Sequence, residues 1–187
     1  MKKSHIIIIG FKNTGKSVVG SALASRINKP FIDLDHVIEK NFEKKHQEKM
    51  SCRMIMKKYG EFFFRTLESN ALKYSIQQKS SVISLGGGAV LLKENQSLIK
   101  SHIVIHLGAP FDEVFHRIIA EGIPSFFEEN SNTLQEFKRQ WDERQPLYEA
   151  CRSFDKIMNH QSIEKTVQKI IEQLEKSHEK NSFDAWT

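Results

Sequence analysis

Cysteine is scarce in this sequence: Cys52 and Cys151 are the only two among 187 residues, and no metal-ligand spacing surrounds them. We therefore expect no disulfide framework, and we expect a reducing cytoplasmic setting. No stretch approaches the roughly 20 consecutive apolar residues of a membrane-spanning helix. The N-terminal apolar run, Ile6–Ile9, is too short for a secretion signal. The sequence thus predicts a protein without a membrane partner.

Proline and glycine are also sparse, with 4 and 9 residues. Together with 39% apolar residues, this excludes collagen-like and low-complexity chains and suffices for a packed core. The length suits one domain, expected at residues 1–176, followed by a flexible, mainly polar tail at 177–187. The net charge of +5 is mild, and dense basic runs with interleaved aromatics are missing. It suits an anionic ligand such as a nucleotide, and we expect no nucleic-acid partner.

Short apolar runs alternate with longer amphipathic ones along the chain. The short runs predict buried strands of a parallel sheet at Ile6–Ile9, Phe31–Leu34, Val82–Leu85, Ile103–Leu107 and Phe154–Met158. Apolar residues at helical spacing predict helices at 18–27, 62–76, 111–119 and 163–174. We interpret the aromatic cluster of the second helix as core, at Phe62, Phe63 and Phe64. This alternation predicts an α/β layered fold, in which ligands bind at the carboxyl ends of the strands.

A phosphate-binding pattern, G-x-x-x-x-G-K-[ST], is matched at every fixed position by Gly10-Phe11-Lys12-Asn13-Thr14-Gly15-Lys16-Ser17. This phosphate loop lies between a predicted strand and a predicted helix, which is the context the motif requires. Its backbone N–H groups turn toward phosphate oxygens, while Lys16 reaches the terminal phosphates and the Ser17 hydroxyl can bind Mg²⁺. The motif does not separate kinases from GTPases or motor ATPases. The predicted nucleotide-binding residues are Asn13, Thr14, Gly15, Lys16, Ser17 and Val18.

Two aspartates close the second predicted strand. Asp33 and Asp35 are two residues apart and therefore point the same way. A carboxylate beside a phosphate loop can hold Mg²⁺ through water or accept a proton from an attacking hydroxyl. Asp35 can in addition cap a helix that begins at His36.

Three further motifs follow along the chain. Taken alone, Glu61 and Arg65 fit a surface pair on a helix, and glycines 86–88 fit an ordinary strand–loop junction. Arg144 stands just before Pro146, a residue that breaks helices.

In their order and spacing, the phosphate loop, Asp-x-Asp, G-E-x-x-F-R, Gly-Gly-Gly and E-R-x-P-L-Y together resemble the shikimate kinase family, over about Ile6 to Leu174. The resemblance implies that ATP, with Mg²⁺, phosphorylates the 3-hydroxyl of shikimate in aromatic amino-acid biosynthesis. It implies a three-layer P-loop fold with a five-stranded parallel sheet in the order 2-3-1-4-5. It also implies a substrate-binding segment at about 37–65, a mobile lid at about 121–132 and a monomer.

For the substrate, the resemblance implies that Asp35 binds the shikimate hydroxyls and acts as the base. It implies that Arg65 and Arg144 bind the carboxylate, for which the planar guanidinium is suited. Backbone contacts to the substrate are implied for Gly86, Gly87 and Gly88.

For ATP and the metal, the resemblance implies that Lys16 acts in catalysis and that Mg²⁺ is held by Ser17 and, through water, by Asp33. It places Arg117 and Gln161 on the adenine side of the nucleotide.

One position departs from the family. The family lid carries an arginine immediately before a proline, whereas here Ile123 precedes Pro124, and no Lys or Arg occurs between Arg117 and Lys138. An arginine on the transferring phosphoryl group can contribute about a thousandfold in rate. We therefore hypothesise that Lys12 of the phosphate loop supplies this charge in catalysis. The alternative is that Lys12 points to solvent.

Three other functions are compatible with parts of the pattern. The Ile123 position favours a catalytically weakened protein that binds nucleotide or shikimate, although the intact phosphate loop and both aspartates oppose it. A related sugar-acid kinase, such as gluconate kinase, is opposed by Arg65, Arg144 and the glycine triplet. A nucleic-acid-binding ATPase rests only on the basic composition.

Overall fold

The computed structural model describes residues 4–121 and 133–183, with side chains described through residue 177. The strands are β1 Ile6–Ile9, β2 Phe31–Asp33, β3 Val82–Ser84, β4 Ile103–Gly108 and β5 Ile157–Met158. The helices are α1 Lys16–Arg26, α2 Leu34–His46, α3 Cys52–Tyr59, α4 Glu61–Ile76, α5 Lys93–Ile99, α6 Phe111–Ala120, α7 Thr133–Cys151 and α8 Ile163–Phe183. A short 3₁₀ helix covers Ala89–Leu91.

The five strands form one parallel sheet in the order β2-β3-β1-β4-β5. This confirms the α/β fold predicted from the alternating pattern and the strand order implied by the family resemblance. β1 lies at the centre, between β3 and β4, and its four isoleucines are all buried. A run of β-branched residues suits this place because helices cover both faces of the sheet.

Successive isoleucines of β1 enter opposite layers of the core. Ile7 and Ile9 pack on one face, in the cluster that holds Phe11 and apolar side chains of α2, α4, α6 and α7. Ile6 and Ile8 pack on the other face, against apolar side chains of α1 and α8. Side chains of a strand alternate between its two faces, so one short strand anchors both layers.

Several element boundaries differ from those predicted. The second strand ends at Asp33 rather than Leu34, because Leu34 is the first residue of α2 and is buried under it. The last strand contains only Ile157 and Met158 of the predicted 154–158. Both differences fall at strand ends: Leu34 continues the apolar run into α2, and Phe154 packs partly against the core from outside the strand.

Pro146 does not end a helix, contrary to the prediction. It lies inside α7, which continues to Cys151. Proline removes one backbone hydrogen bond and disfavours a helix interior. Here Tyr148 and Cys151, which follow the proline, are buried in the core, and this packing keeps the helix continuous.

The interpretation of Phe62, Phe63 and Phe64 as core residues is wrong for Phe62. Phe64 is buried and Phe63 packs partly against the core, whereas Phe62 is 89% exposed. Three consecutive residues cannot share one face of a helix, and the face of α4 that meets the core includes position 64.

The C-terminal helix α8 continues past the start of the predicted tail and is described to Phe183. The rest of the tail and residues 122–132 of the predicted lid, which include Ile123, lie outside the described residues. Within the described ranges, no helix combines the length and the apolar character needed to cross a membrane.

Candidate active site

The phosphate loop connects β1 to α1, and a residue from the opposite end of the chain holds its backbone. Asn159, just after β5, donates from Nδ2 to the backbone oxygen of Thr14 at 2.9 Å. Gly15 has a φ of +89°, and a Cβ there would lie 2.4 Å from the same Nδ2. Only glycine combines this positive φ with so close an approach. The loop is thereby fixed at the carboxyl edge of the sheet, where α1 begins.

Lys16 is buried at the first position of α1, and its Nζ donates to the backbone oxygen of Phe11 at 2.7 Å. Burial lowers the pKa of its ammonium group to about 8, although the carboxylates of Asp35 and Asp33 act in the opposite direction. The lysine is therefore still charged at neutral pH. It lies at a helix N-terminus, which also attracts anions.

The two aspartates after β2 have different surroundings. Asp33 caps α2, because its Oδ1 accepts a hydrogen bond from the Asp35 backbone N–H at 3.0 Å. The predicted capping role of Asp35 is therefore wrong, since α2 begins at Leu34, two residues earlier than the prediction required. The Asp35 carboxyl is not needed as a cap. Desolvation in the cleft, followed by repulsion from Asp33, raises its pKa above the usual value.

A cavity of about 210 Å³ lies over the phosphate loop. It brings together residues that the sequence placed at the nucleotide and metal sites, and Ser84 from the end of β3. Its lining is Lys12, Asn13, Gly15, Lys16, Ser17, Val18, Asp33, Asp35, Ser84, Leu85, Gly86 and Gly87. Thr14 is buried behind the loop, where its hydroxyl donates to Phe11 O at 3.0 Å.

A larger cavity of about 550 Å³ adjoins the first. Both predicted carboxylate-binding arginines and all three glycines of the triplet line it. The side chains and backbone that form its polar wall include Arg65, Arg144, Asp35, Glu68, Gly86, Gly87 and Gly88. Four residues line both cavities, namely Lys12, Asp35, Gly86 and Gly87.

Arg65 is held by two glutamates of its own helix. Its Nη1 lies 2.7 Å from Glu68, which is buried, and its Nη2 lies 3.3 Å from Glu61, which is exposed. The guanidinium lies against Gly88, where a Cβ would approach Nη2 to 2.2 Å. The predicted surface pair with Glu61 is therefore present, but the shorter and buried contact is with Glu68. Together these contacts orient Arg65 along the wall of the larger cavity.

Arg144 enters the same cavity from α7. Its Nη2 donates to Gln140 Oε1 at 2.8 Å, and its guanidinium lies 5.1 Å from the centre of the Phe11 ring. One turn later, the buried Tyr148 hydroxyl donates to the backbone oxygen of Gly87. α7 therefore positions an arginine in the cavity and also holds the glycine triplet that forms its floor.

Arg117 and Gln161 are not among the residues that line the two cavities. Arg117 donates to the backbone oxygen of Asn13 at 3.1 Å and pairs with Glu113 at 2.8 Å, so it borders the phosphate loop from α6. Gln161 is exposed in the segment between β5 and α8. Their assignment to the adenine side stays a prediction.

Lys12 does not point freely into solvent. Its Nζ lies 3.1 Å from Oε2 of Glu121, with 35% of the lysine side chain and 55% of the glutamate side chain exposed. A Cβ at position 87 would lie 2.9 Å from the backbone nitrogen of Lys12. The lysine thus lies at the junction of the phosphate loop, the glycine triplet and the end of α6.

The smaller cavity offers suitable ligands for Mg²⁺. Ser17 is exposed and lines it, and Asp33 has a carboxylate oxygen besides the one that caps α2. Mg²⁺ prefers oxygen ligands and keeps several waters when it is bound with phosphates. One hydroxyl and one carboxylate beside a phosphate loop fit this chemistry.

Sequence reasoning did not identify two residues that shape the site. Glu68 belongs to the buried stripe of α4, together with Phe64, Ala71 and Leu72, and a carboxylate at a core-facing position was the available signal. Asn159 immediately follows β5 at the carboxyl edge of the sheet. Its position suggested a loop, but its contact with Thr14 joins residues 145 apart and leaves no local pattern.

Comparisons with known proteins agree over nearly the whole chain. A family model described as shikimate kinase matches residues 12–175. The shikimate kinase of Oceanobacillus iheyensis is 35% identical over 156 residues, covering 82% of this chain and 80% of that protein. That of Nitrosomonas europaea is 31% identical over 176 residues, covering 94% and 80%. A solved structure of shikimate kinase from Acinetobacter baumannii in complex with shikimate has a TM-score of 0.82 at 27% identity and covers 94% of both chains.

Proposed function

The chain belongs to the shikimate kinase family, and on this basis we propose that it transfers the γ-phosphoryl group of ATP to the 3-hydroxyl of shikimate. The observation that carries the proposal is the set of four residues shared by the two cavities. A phosphate bound over the phosphate loop and a hydroxyl bound in the larger cavity would meet at these residues. In-line phosphoryl transfer requires this proximity.

The larger cavity supports shikimate as the acceptor. Arg65 and Arg144 reach it from two different helices, and planar guanidinium groups bind a carboxylate with directed hydrogen bonds. Asp35 lies at the boundary with the nucleotide cavity, where it would bind the reacting hydroxyl and accept its proton. Its raised pKa makes it a better base than an exposed aspartate.

The smaller cavity supports ATP as the donor. Lys16 and the N–H groups of the phosphate loop would bind the β- and γ-phosphates. Mg²⁺ near Ser17 and, through water, Asp33 would neutralise charge on the phosphate oxygens. All of these residues belong to one chain, so a site of this composition requires no residue from a second subunit.

Of the four residues that line both cavities, Lys12 is the one with a positively charged side chain. We assign to it the charge that the family lid supplies by arginine and that Ile123 cannot supply. Its place beside Gly87 supports this assignment, because the transferring group passes between the loop and the triplet.

The test is steady-state release of ADP from Mg²⁺-ATP, with and without shikimate. We expect shikimate-dependent turnover above about 1 s⁻¹ for the wild type and its loss in Lys16→Ala. Lys169→Ala, which changes an exposed lysine on α8, serves as the matched control and should keep wild-type turnover. Thermal unfolding of each variant checks that the fold is retained.

Other outcomes would select the other candidate functions. Binding of shikimate or ATP by calorimetry without turnover would identify a catalytically weakened binding protein. Turnover with gluconate but not with shikimate would identify a sugar-acid kinase. No turnover and no shikimate binding would contradict the proposed substrate.

A further inference from the structure

Glu121 lies at the carboxyl end of α6, and three elements meet at this residue. Its carboxylate contacts Lys12 of the phosphate loop at 3.1 Å. Its backbone oxygen accepts a hydrogen bond from Arg53 of α3 at 3.4 Å. One turn earlier on α6, Arg117 donates to the Asn13 backbone oxygen at 3.1 Å. The last turn of α6 is therefore bonded twice to the phosphate loop and once to α3.

We propose that Glu121 is a positioning residue for Lys12, holding the lysine Nζ at the boundary of the two cavities where the phosphoryl group is transferred. The proposal rests on the proposed function and extends it to a residue that does not itself line either cavity. Lys12 would contact the transferring group, whereas Glu121 would act only through Lys12.

The need for such a residue follows from the flexibility of lysine. Its four-carbon side chain rotates freely and carries a compact charge, so an unpaired Lys12 would spend much of its time in solvent. The Lys12 backbone is fixed against Gly87, but nothing in that contact directs the ammonium group. The ion pair with Glu121 supplies the direction.

Charge at Glu121 is maintained at neutral pH. Partial burial favours its protonated form, but interactions with Asn13, Lys12 and Arg53 outweigh it and lower the pKa of the carboxyl. The Glu121 carboxylate is therefore ionised under assay conditions and can pair with the lysine. Because both side chains are partly exposed, its loss should affect orientation far more than the stability of the fold.

The test is a double-mutant cycle in the shikimate-dependent assay, with wild type, Glu121→Gln, Lys12→Met and the double variant. We expect Glu121→Gln to lower kcat by about three- to tenfold, with the KM for ATP changed less than about twofold. In the Lys12→Met background, Glu121→Gln should have no further effect. Neither substitution should shift the thermal unfolding midpoint measurably.

Glu94→Gln is the matched control. Glu94 pairs with Lys73 at 2.7 Å, with 58% and 42% of these side chains exposed, and neither residue lines either cavity. It removes one carboxylate from a comparable Lys–Glu pair and should leave kcat and KM unchanged. The control therefore separates the general effect of removing one carboxylate from the effect of removing the carboxylate that contacts Lys12.

Four results would overturn the proposal. The first is a kcat of Glu121→Gln equal to or above that of the wild type, which would mean that Glu121 withholds Lys12 rather than positioning it. The second is an effect of Glu121→Gln that persists without Lys12. The third is unchanged turnover in Lys12→Met, which would also refute the assigned role of Lys12 but leave the proposed phosphorylation of shikimate intact. The fourth is a wild type without shikimate-dependent turnover, which refutes the proposed function as well.

Discussion

The guanidinium of Arg65 lies 2.7 Å from the carboxylate of Glu68, which is buried one turn further along α4. Burial raises the pKa of Glu68 to about 7, although the charge and the hydrogen bond of Arg65 act against this shift. The pair therefore keeps the arginine against the wall of the larger cavity at a cost in desolvation of the acid. That cost is reasonable only if the orientation of Arg65 matters.

We expect Glu68→Gln to raise the KM for shikimate about tenfold and to change kcat less, because Arg65 loses the contact that orients it toward the substrate carboxylate. Steady-state kinetics with varied shikimate measures this. Glu61→Gln is the matched comparison, since it removes the longer, exposed contact with the same arginine and should have a smaller effect. Equal effects of the two substitutions would show that burial of Glu68 has no part in orienting Arg65.

Gly88→Ala tests the same arginine from the opposite side. The new Cβ would lie 2.2 Å from Arg65 Nη2, while the φ of −98° at position 88 is accessible to alanine. The backbone should therefore remain in place and the end of the arginine side chain should move. We expect the KM for shikimate to rise at least about tenfold while the KM for ATP stays within about twofold. An unchanged KM for shikimate would mean that Arg65 does not bind the substrate in its present position.

Local patterns in the sequence, together with the family resemblance, allowed prediction of the sheet and of most residues that line the smaller cavity, but of fewer than half of those that line the larger one. Apolar runs mark the strands, and the phosphate loop and glycine triplet follow strands whose carboxyl ends meet at one edge. What could not be predicted depends on contacts between distant residues. Glu68 stands at a core-facing position of α4, but only the fold shows that its carboxylate orients Arg65, and only the fold brings Asn159 to Thr14.

The helix containing Pro146 illustrates the limit of local rules. A proline two residues after Arg144 predicts the end of a helix, yet burial of Tyr148 and Cys151 outweighs the lost hydrogen bond. The consequence for the site is large, because the continuous helix allows Arg144 and Tyr148 to act together on the larger cavity and on Gly87.

Asn159→Leu tests whether the far end of the chain fixes the phosphate loop. The substitution keeps the side-chain volume but removes the bond from Nδ2 to Thr14 O and the bond that Oδ1 accepts from Thr166 at 3.1 Å. We expect the KM for ATP to rise about fivefold or more, with shikimate binding by calorimetry unchanged. Thr166→Val is the control: it removes the bonds that Thr166 Oγ1 makes to Asn159 Oδ1 and Ser162 O but keeps the bond from Asn159 to Thr14, and it should change the KM for ATP less.

Asp35→Asn tests the assignment of the base. If Asp35 accepts the proton, kcat/KM for shikimate should fall as the pH drops through its pKa, which desolvation and then Asp33 raise above the usual carboxyl range. The variant should lose at least about a hundredfold in kcat, a typical contribution of a general base. It should also lose the acidic limb of the pH profile. An acidic limb that persists in the variant would assign it to another group.

Stability should respond to pH through two buried groups that act in opposite directions. Glu68 has a folded-state pKa of about 7, above its unfolded value. Its contribution to the free energy of unfolding is therefore fully present below about pH 4.5 and is lost as the pH rises to about 7. The Nδ1 atom of His106 lies 3.0 Å from Oε1 of Glu149. Its Nε2 atom is buried and has no hydrogen-bond partner among the described residues. Burial and the nearby Lys156 lower its pKa to about 4, although Glu149 opposes the shift.

The contribution of His106 to the free energy of unfolding is therefore present above about pH 6.5. It is lost as the pH falls toward 4, because the unfolded state then binds a proton that the folded state excludes. Each of these two pKa shifts corresponds to a change of roughly 3 kcal/mol at most in the free energy of unfolding. The two slopes have opposite signs between about pH 4.5 and 6.5, and Asp35, whose pKa is also raised by desolvation, adds to the slope of Glu68. Relative to the wild type, urea unfolding across this range should show stability shifted toward rising with pH in Glu68→Gln and toward falling with pH in His106→Asn, which retains an amide donor for Glu149. Parallel pH profiles in the wild type and both variants would mean that neither group titrates differently on folding.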